Sequence, residues 1–413
     1  MRLFGQTALL FGGQVAVMAL NVATGALMAR GLGPEGRGAY AAVLVWPQVV
    51  GWISTLGLAR ATAYYGARAP GRERALVANG VFVASLAGSV MAICLAAVLP
   101  VVLRQYDPAV VGLGRALLLL VPVVALSDIF DSLLRGAGAF GVVAGTRVAW
   151  GAVQCGGILV LFLLDRLDVS SAALVWALAS TAVLLAQFAI LHARGTVSFR
   201  PEASLLEHSG RYGLRAFPGV LADIALQSVD QILLVPILSP GALGLYSVST
   251  RAMLLVQLPW ALSQTLFSSL AGRTDDHGFG HSVRVIAAGA AITGTAGALL
   301  FVLAAPLISL LYGVAFLPAV GAFRVLLLAA FGMGVAKLAH EAMAGMGRPG
   351  RAGFGLVLSV GLMGLLLWAT VPRFGLLGAA WAVALAHWAN LLLQLGFLLA
   401  ARSGASSSRA VGT

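Results

Sequence analysis

Long apolar segments follow one another along the whole chain, separated by short breaks that contain arginine, glycine and proline. Each segment reaches or exceeds the roughly 20 residues that a helix needs to cross a bilayer. Twelve spans are predicted, at residues 7–29, 40–65, 75–103, 114–134, 140–164, 171–193, 213–236, 242–271, 283–311, 317–344, 351–371 and 375–401. Since runs of this length satisfy their backbone hydrogen bonds only as helices, the sequence predicts an all-α integral membrane protein.

The composition excludes a soluble catalytic domain. Hydrophobic residues make up 60% of the 413 residues and charged residues 10%, and the mean hydropathy is +0.97. These values lie outside the range of soluble domains. The longest polar break, residues 195–211, is too short to bury a core of its own. We therefore expect a protein that is not an enzyme.

The formal net charge of +12 reflects the orientation of the chain in the membrane and does not indicate nucleic-acid binding. The arginines do not form one patch, and most fall in breaks on the same side as the N-terminus. By the positive-inside rule, both termini are predicted to be cytoplasmic. The first apolar run is longer than the core of a signal peptide and is interpreted as an uncleaved span. The polar residues 403–413 are predicted to be a disordered tail.

The sequence contains patterns that resemble cofactor and metal motifs, but the surrounding segments do not suit such sites. Cys94 and Cys155 lie in apolar spans, so neither a disulfide framework nor a zinc site is expected. The glycine pattern at residues 136–141 matches a dinucleotide fingerprint, but it joins two membrane helices and lacks the required strand. Residues 275–281 hold two aspartates and two histidines in a segment interpreted as a solvated loop. No metal or cofactor is predicted.

A repeated motif indicates a duplication. LGPEGRGAY at residues 32–40 is matched by LSPGALGLY at residues 238–246, an offset of 206 residues (238 − 32). Glycine and proline suit a tight reversal between antiparallel helices. Similar offsets relate further pairs: Asn21 with Gln227, Pro108 with Pro318, Arg115 with Arg324, Ser180 with His387, and Gln187 with Gln394. We predict an N-terminal six-helix bundle at residues 1–205 and a C-terminal one at 206–402.

The even number of spans in each predicted bundle determines their orientation. A second bundle that follows six spans enters the membrane in the same direction as the first, so the repeats are parallel. Parallel repeats related by an axis along the membrane normal are typical of transporters that alternate between two open states. The sequence therefore predicts two parallel six-helix repeats around a central cavity.

Polar residues inside the spans are the first candidate site residues. Asp223, Gln227 and Asp230 share one helix face by their spacing, and the offset of the repeat carries Gln227 onto Asn21. A carboxylate at this depth is costly unless it lines water or finds a partner. We expect these four residues to line a cavity or couple transport to an ion. The alternative is that they only join helices by hydrogen bonds.

Two further groups of charges occupy matching regions of the fourth and tenth spans. The first contains Asp128, Asp131 and Arg135, and the second contains Lys337 and Glu341. An acid and a base four residues apart on a helix partly neutralise each other. These groups lie toward predicted cytoplasmic ends, where long side chains reach the interface. A gating or structural role is therefore favoured over substrate binding.

Arg60 and Arg251 are the candidates for substrate binding. They lie in or near the ends of the second and eighth spans. A guanidinium keeps its charge at any depth and binds two phosphate oxygens at once. Arginines that face a shared cavity would suit a phosphate-bearing ligand. The alternative is interfacial anchoring, which is favoured for Arg147.

The segment ARGLGPEGRGAY at residues 29–40 resembles the turn after the first helix of Wzx-type polysaccharide-biosynthesis flippases, in the multidrug/oligosaccharidyl-lipid/polysaccharide exporter superfamily. Length, twelve spans and two halves extend the resemblance over the chain. It implies a polyprenyl-pyrophosphate-linked oligosaccharide as substrate. It transfers no catalytic residue set, and the two additional helices of lipid II flippases are not present.

The combined prediction is a lipid-linked oligosaccharide flippase that works by alternating access in a bacterial cytoplasmic membrane. Its partners would be membrane lipid, the lipid-linked glycan and a coupling cation, H⁺ or Na⁺. The alternative is an ion-coupled multidrug antiporter of the same fold, which should depend on the carboxylates and not on the arginines. A glycan polymerase or ligase would need a larger external loop than any break in this chain provides.

Overall fold

The computed structural model describes residues 2–68, 71–256, 276–345 and 349–410. The helices are α1 (Arg2–Ser54), α2 (Leu58–Arg68), α3 (Glu73–Val102), α4 (Pro108–Leu117), α5 (Val121–Gly136), α6 (Phe140–Leu163), α7 (Val169–Ala193), α8 (Ala203–Leu234), α9 (Pro240–Ser249), α10 (Asp276–Val302), α11 (Ala304–Tyr312), α12 (Val320–Gly345) and α13 (Pro349–Ala410). Short 3₁₀ segments lie at Leu118–Leu120, Thr250–Val256 and Val314–Ala319. The residues in these four ranges form no strand.

Nine helical segments among the described residues are long and apolar enough to cross a membrane. They run Val15–Ser54, Glu73–Val102, Pro108–Gly136, Phe140–Leu163, Val169–Ala193, Ala203–Leu234, Phe279–Val302, Val314–Met343 and Gly353–Ala400. Each of the first and last includes parts of two predicted spans, joined across a non-helical residue, Gly33 or Gly375. The prediction of an all-α multi-pass membrane protein is confirmed.

Three predicted segments extend beyond what the structure describes. The eighth span, predicted at residues 242–271, is seen as α9 and the 3₁₀ turn up to Val256, and its remainder lies outside the described residues. Residue 275 of the segment interpreted as a solvated loop also lies there, but residues 276–281 form the start of α10, so the prediction of a loop is wrong for these residues. At the C-terminus, α13 continues to Ala410, and the predicted disordered tail at 403–413 stays a prediction.

The second predicted span is broken near its middle. α1 ends at Ser54, α2 begins at Leu58, and the residues between include Leu56 at φ 50° and Gly57 at φ 77°. A Cβ atom at Gly57 would lie 2.3 Å from the carbonyl oxygen of Gly213 on α8. Only glycine combines this backbone conformation with such a close approach. The break therefore brings the start of α2 against the backbone of α8.

The two copies of the repeated turn pack against each other. A Cβ atom at Gly38 would lie 1.7 Å from the carbonyl oxygen of Pro240, and one at Gly244 would lie 1.8 Å from that of Pro34. Each glycine thus faces the proline carbonyl of the other copy. This reciprocity is what two copies related by a two-fold axis would give, and it supports the predicted duplication.

The paired positions Arg115 and Arg324 also have equivalent contacts. The Nε of Arg115 donates to the carbonyl oxygen of Ala96, and the Nε of Arg324 donates to that of Phe301, both at 3.1 Å. In each case the acceptor lies on the long helix that comes before the arginine. A shared local structure therefore supports the duplication independently of the turns.

The chain divides into two compact units, each with its own core. The first is Met1–Ile224 with Leu238–Gly244, and the second is Ala225–Ile237 with Leu245–Thr413. Apolar side chains of α2, α3 and α5 form a core in the first unit, and α12 packs on α13 in the second. The predicted division at residues 205 and 206 stays a prediction, because a compact unit need not coincide with a repeat.

Candidate functional site

Arg60 and Asp223, predicted separately for binding and for coupling, form an ion pair in the first unit. The Nη2 of Arg60 on α2 lies 3.0 Å from the Oδ2 of Asp223 on α8, and the side chains are 57% and 32% exposed. The break before α2 and the close contact of Gly57 with Gly213 bring these helices together. Arg60 therefore carries an accessible positive charge that is neutralised by the carboxylate of Asp223.

A second set of charges lies on α5 and α6 of the same unit. Asp131 accepts hydrogen bonds from Arg135 and, at 3.1 Å, from Arg147. Arg135 also lies 4.0 Å from Asp128. The sequence predicted the pairing of Asp131 with Arg135, but it placed Arg147 at the interface as an anchor. The contact with Asp131 adds Arg147 to the candidate residues.

These two sets lie on helices that pack together. α2, which bears Arg60, contacts α5, which bears Asp128, Asp131 and Arg135. We call Arg60, Asp128, Asp131, Arg135, Arg147 and Asp223 the charge cluster. Its three arginines and three aspartates balance formally. A balanced cluster can accept an anionic ligand at an arginine when the paired aspartate moves away from that arginine.

Three tyrosines near Arg60 were missed by the sequence analysis. Tyr64 on α2 stacks on Tyr212 of α8, with ring centroids 4.7 Å apart, and Tyr65 meets both rings edge-on. The guanidinium of Arg68 lies 4.3 Å from the centroid of Tyr64. The available signal was the Tyr-Tyr pair one helical turn after Arg60. Together with the ion pair, this stack joins α2 to α8.

Asp230 is held differently from Asp223, although both lie on α8. The hydroxyl of Tyr246 donates to Asp230 Oδ2 at 2.6 Å in the second unit. Asp230 is 8% exposed and Tyr246 is fully buried. The Oδ1 atom of Asp230 has no hydrogen-bond partner among the described residues. A buried carboxylate with one open oxygen suits a proton or a small cation, since an unpaired charge there is costly.

The remaining predicted lining and binding residues lie at other positions in the two units. Gln227 is exposed on α8, and Asn21 is half-buried on α1. Arg251 is half-buried in the 3₁₀ segment Thr250–Val256 of the second unit, and its Nε finds no partner within the described part of the chain. A site shared by Arg251 and Arg60 stays a prediction.

The second unit contains the predicted pair on α12. The Nζ of Lys337 lies 3.3 Å from the Oε1 of Glu341, and both side chains are about a quarter exposed, at 28% and 24%. The predicted pairing is therefore present. Its gating or structural role stays a prediction.

Within the four described ranges, no group of three or more His, Cys, Asp or Glu side chains is placed to hold a metal ion. The glycine pattern at residues 136–141 spans the connection from α5 to α6, as the sequence predicted. It therefore provides no strand–helix site for a dinucleotide.

Known structures share the fold over nearly the whole chain. "Lipid II flippase MurJ, inward closed conformation" matches with a TM-score of 0.77 and 15% identity, covering 96% of this chain and 87% of the other. An inward-facing multidrug resistance MATE family transporter of the MOP superfamily gives 0.70 and 16%, covering 98% and 100%. The Vibrio cholerae MATE transporter VcmN in its bent form gives 0.62 and 14%, covering 96% and 98%.

These neighbours are named as transporters and a flippase, in agreement with the expectation that the chain is not an enzyme. No curated protein matches the chain. A family model described as "Polysaccharide biosynthesis protein" matches residues 27–321, more than half of the 413 residues. The resemblance drawn from residues 29–40 is thereby confirmed at the level of the family. The chain belongs to this family of polysaccharide biosynthesis proteins, and its fold is that of the MATE proteins and of the lipid II flippase to which it is similar.

Proposed function

We propose that this protein moves a polyprenyl-pyrophosphate-linked oligosaccharide across the bacterial cytoplasmic membrane by alternating access. The observation that carries the proposal is the accessible ion pair of Arg60 with Asp223, in a chain whose family is described by polysaccharide biosynthesis. A pyrophosphate binds to positive charge, and an arginine side chain keeps its charge inside a membrane. The distribution of arginines supports cytoplasmic placement of both termini.

In this proposal Arg60 and Arg251 hold the pyrophosphate. Arg60 exchanges Asp223 for the phosphate oxygens, which accept two parallel hydrogen bonds from a guanidinium. The exchange leaves Asp223 without its arginine and so leaves a negative charge that a coupling cation can balance. Binding of the anionic lipid and of the cation are thereby linked through one ion pair.

The remaining predicted residues bind the coupling cation, line the passage of the substrate or gate it. Asp230, with one oxygen held by Tyr246, is the second candidate for H⁺ or Na⁺, and Gln227 and Asn21 line the passage. Three other members of the charge cluster, Asp128, Asp131 and Arg135, gate it. Lys337 and Glu341 have the corresponding role in the second unit.

The test compares two cargoes in vesicles that contain the purified protein. A fluorescent lipid-linked oligosaccharide reports flipping, and a lipophilic cationic dye reports drug efflux. We expect flipping that falls at least tenfold in Arg60→Ala and Arg251→Ala, because each removes a phosphate contact of roughly 1.5–3 kcal/mol. Arg166→Ala, which removes an exposed arginine outside the predicted site, is the matched control.

The multidrug alternative gives the opposite pattern. Dye efflux that is unaffected by the arginine substitutions and abolished in Asp223→Asn and Asp230→Asn would contradict the flippase proposal. Flipping that persists in both arginine variants would contradict the binding assignment.

A further inference from the structure

An aromatic and cationic face of α2 lies directly beside the ion pair of Arg60. Arg60, Tyr64 and Arg68 follow one another at intervals of four residues, which places them on one side of the helix. Tyr64 stacks on Tyr212 of α8 with ring centroids 4.7 Å apart, and Tyr65 meets the ring of Tyr212 edge-on at 6.1 Å. We call Tyr64, Tyr65, Tyr212 and Arg68 the tyrosine site, which lies wholly in the first unit.

The ring of Tyr212 is the part of this site that a ligand can reach most easily. Tyr64 already has two groups against its ring, Tyr212 and the guanidinium of Arg68, which lies 4.3 Å from the ring centroid. Tyr64 and Tyr65 are half-buried, whereas Tyr212 is 36% exposed. Part of the Tyr212 ring is therefore open to a ligand, and the other two tyrosines support it from behind.

Hydrogen-bonding groups surround this exposed ring. Each tyrosine hydroxyl can donate and accept a hydrogen bond, and the guanidinium of Arg68 carries several donors. Arg211 and Arg215, which flank Tyr212 along α8, are exposed as well. A ligand on Tyr212 therefore meets an aromatic surface with polar groups at its edge, which is how binding sites hold a ligand and fix its orientation.

A sugar ring has the matching chemistry. The faces of a glucose ring carry mostly C–H bonds, and its hydroxyl groups project around the rim. The C–H face packs on an aromatic ring, and the hydroxyls require hydrogen-bond partners when they leave water. An isoprenoid chain has no group for the donors of this site to bind, and a free phosphate has no apolar face to place on Tyr212.

The position of the site fits a sugar that is bonded to the pyrophosphate. In the proposed function Arg60 binds the pyrophosphate, and Tyr64 follows Arg60 by one helical turn, a rise of about 6 Å at 1.5 Å per residue. The first sugar of a lipid-linked oligosaccharide is attached to the pyrophosphate itself. Its ring therefore lies about as far from the phosphate as the tyrosine site lies from Arg60.

We propose that the tyrosine site binds this first sugar, with the sugar ring on Tyr212 and the sugar hydroxyls at Arg68 and the tyrosine hydroxyls. The proposal rests on the proposed function and deepens it, because it assigns the residues that distinguish a carrier lipid with a glycan from the bare carrier. The protein thereby binds its cargo in preference to a polyprenyl pyrophosphate that bears no sugar.

The test measures the affinity of the detergent-solubilised full-length protein for two lipids that differ only in one sugar. These are polyprenyl pyrophosphate and polyprenyl-pyrophosphate-linked glucose. The wild type should bind the glucose-bearing lipid about fivefold more tightly, which is the size expected of one stacked ring contact. Tyr212→Ala should remove most of this preference, and Tyr212→Phe, which keeps the ring, should retain most of it.

The matched control is Leu214→Ala, a 59% exposed position two residues after Tyr212 and hence on another face of α8. It should keep the full preference. The ratio of the two affinities separates a contact with the sugar from a structural role of the stack. A loss of packing between α2 and α8 that displaces Arg60 weakens both lipids and leaves the ratio unchanged.

Equal binding of the two lipids by the wild type, or a preference that persists in Tyr212→Ala, overturns the proposal. If Tyr212→Ala does not fold, Tyr212→Leu removes the aromatic face with less loss of volume and takes its place. Binding requires no transport, so the two proposals fail separately. A preference that depends on Tyr212 without flipping in vesicles contradicts only the proposed function, and flipping without such a preference contradicts only the sugar site.

Discussion

At the scale of single residues, the pair of Arg60 and Asp223 makes a prediction about affinity. In Asp223→Asn the competitor for Arg60 is gone, so a polyprenyl pyrophosphate should bind more tightly. An accessible ion pair is worth about 0.2–1 kcal/mol, which corresponds to a gain of roughly 1.5- to 5-fold. Microscale thermophoresis with the detergent-solubilised protein measures it. Glu207→Gln, which removes the separate ion pair with Arg211, should leave the affinity unchanged.

A lower affinity in Asp223→Asn would show that Asp223 orients Arg60 for the ligand and does not compete for it. The conservative variant Asp223→Glu keeps the charge and should bind as the wild type does.

Substitution of Asp131 should lower the stability of the protein more than substitution of its partner Arg147. Its carboxylate holds both Arg135 and Arg147, and its side chain is 12% exposed. Asp131→Asn leaves two arginines without their shared partner and should cost about 2 kcal/mol or more, since hydrogen bonds to charged groups are worth roughly 1.5–3 kcal/mol. Arg147→Gln removes one half-exposed partner and should cost less than about 1 kcal/mol.

Differential scanning fluorimetry in detergent compares these two variants under one condition. Equal shifts in Tm for Asp131→Asn and Arg147→Gln would contradict a shared carboxylate at the centre of this set.

At the scale of helices and turns, the reciprocal packing of the repeated turns predicts similar losses of stability when either glycine is substituted. A methyl group at Gly38 or Gly244 meets a backbone carbonyl that cannot rotate away. Gly38→Ala and Gly244→Ala should each lower the stability by about 1–3 kcal/mol, as overpacking does. Their effects should be similar because the contact is reciprocal. Gly112→Ala, with open space at its Cβ position, is the control and should be neutral or stabilising by about 1 kcal/mol.

Thermal melting of the three variants tests this. A Gly38→Ala protein as stable as Gly112→Ala would mean that the turns do not touch.

The start of α7 predicts a pH dependence outside the membrane. Asp168 and Ser171 form a capping box, and the backbone N–H of Ser171 lowers the pKa of the Asp168 carboxyl. A lowered pKa in the folded state means that the stabilisation is present above the ordinary aspartate pKa and is lost as the pH falls through the lowered one. Asp168→Ala should therefore cost about 1 kcal/mol at neutral pH and much less in acid.

Melting curves of Asp168→Ala and the wild type from neutral pH down to about pH 3 measure the convergence, in the range of the ordinary aspartate pKa. Curves that stay equally far apart at every pH would contradict the cap.

At the scale of the whole molecule, the sequence predicts the features of the fold that depend on the local hydrophobicity of the chain. Span positions follow from runs of apolar residues, and the turns follow from glycine and proline. The pairing of Arg60 with Asp223 joins positions 163 residues apart, and no local pattern contains it. The break at Leu56 was also missed, because leucine at positive φ arises from packing and not from propensity. The contact of Arg147 with Asp131 was also missed, since Asp131 lies on another helix.

The central claim is that the charge cluster faces water and binds the lipid-linked glycan. The direct measurement is thiol labelling of Asp223→Cys, which keeps Arg60, in a background where Cys94 and Cys155, the two native cysteines, are replaced by alanine. We predict rapid reaction with a membrane-impermeant maleimide, protection by a polyprenyl-pyrophosphate-linked oligosaccharide, and no reaction of Leu119→Cys at a position expected to face lipid. An unreactive Asp223→Cys, or reaction that the lipid-linked glycan does not slow, would contradict the account.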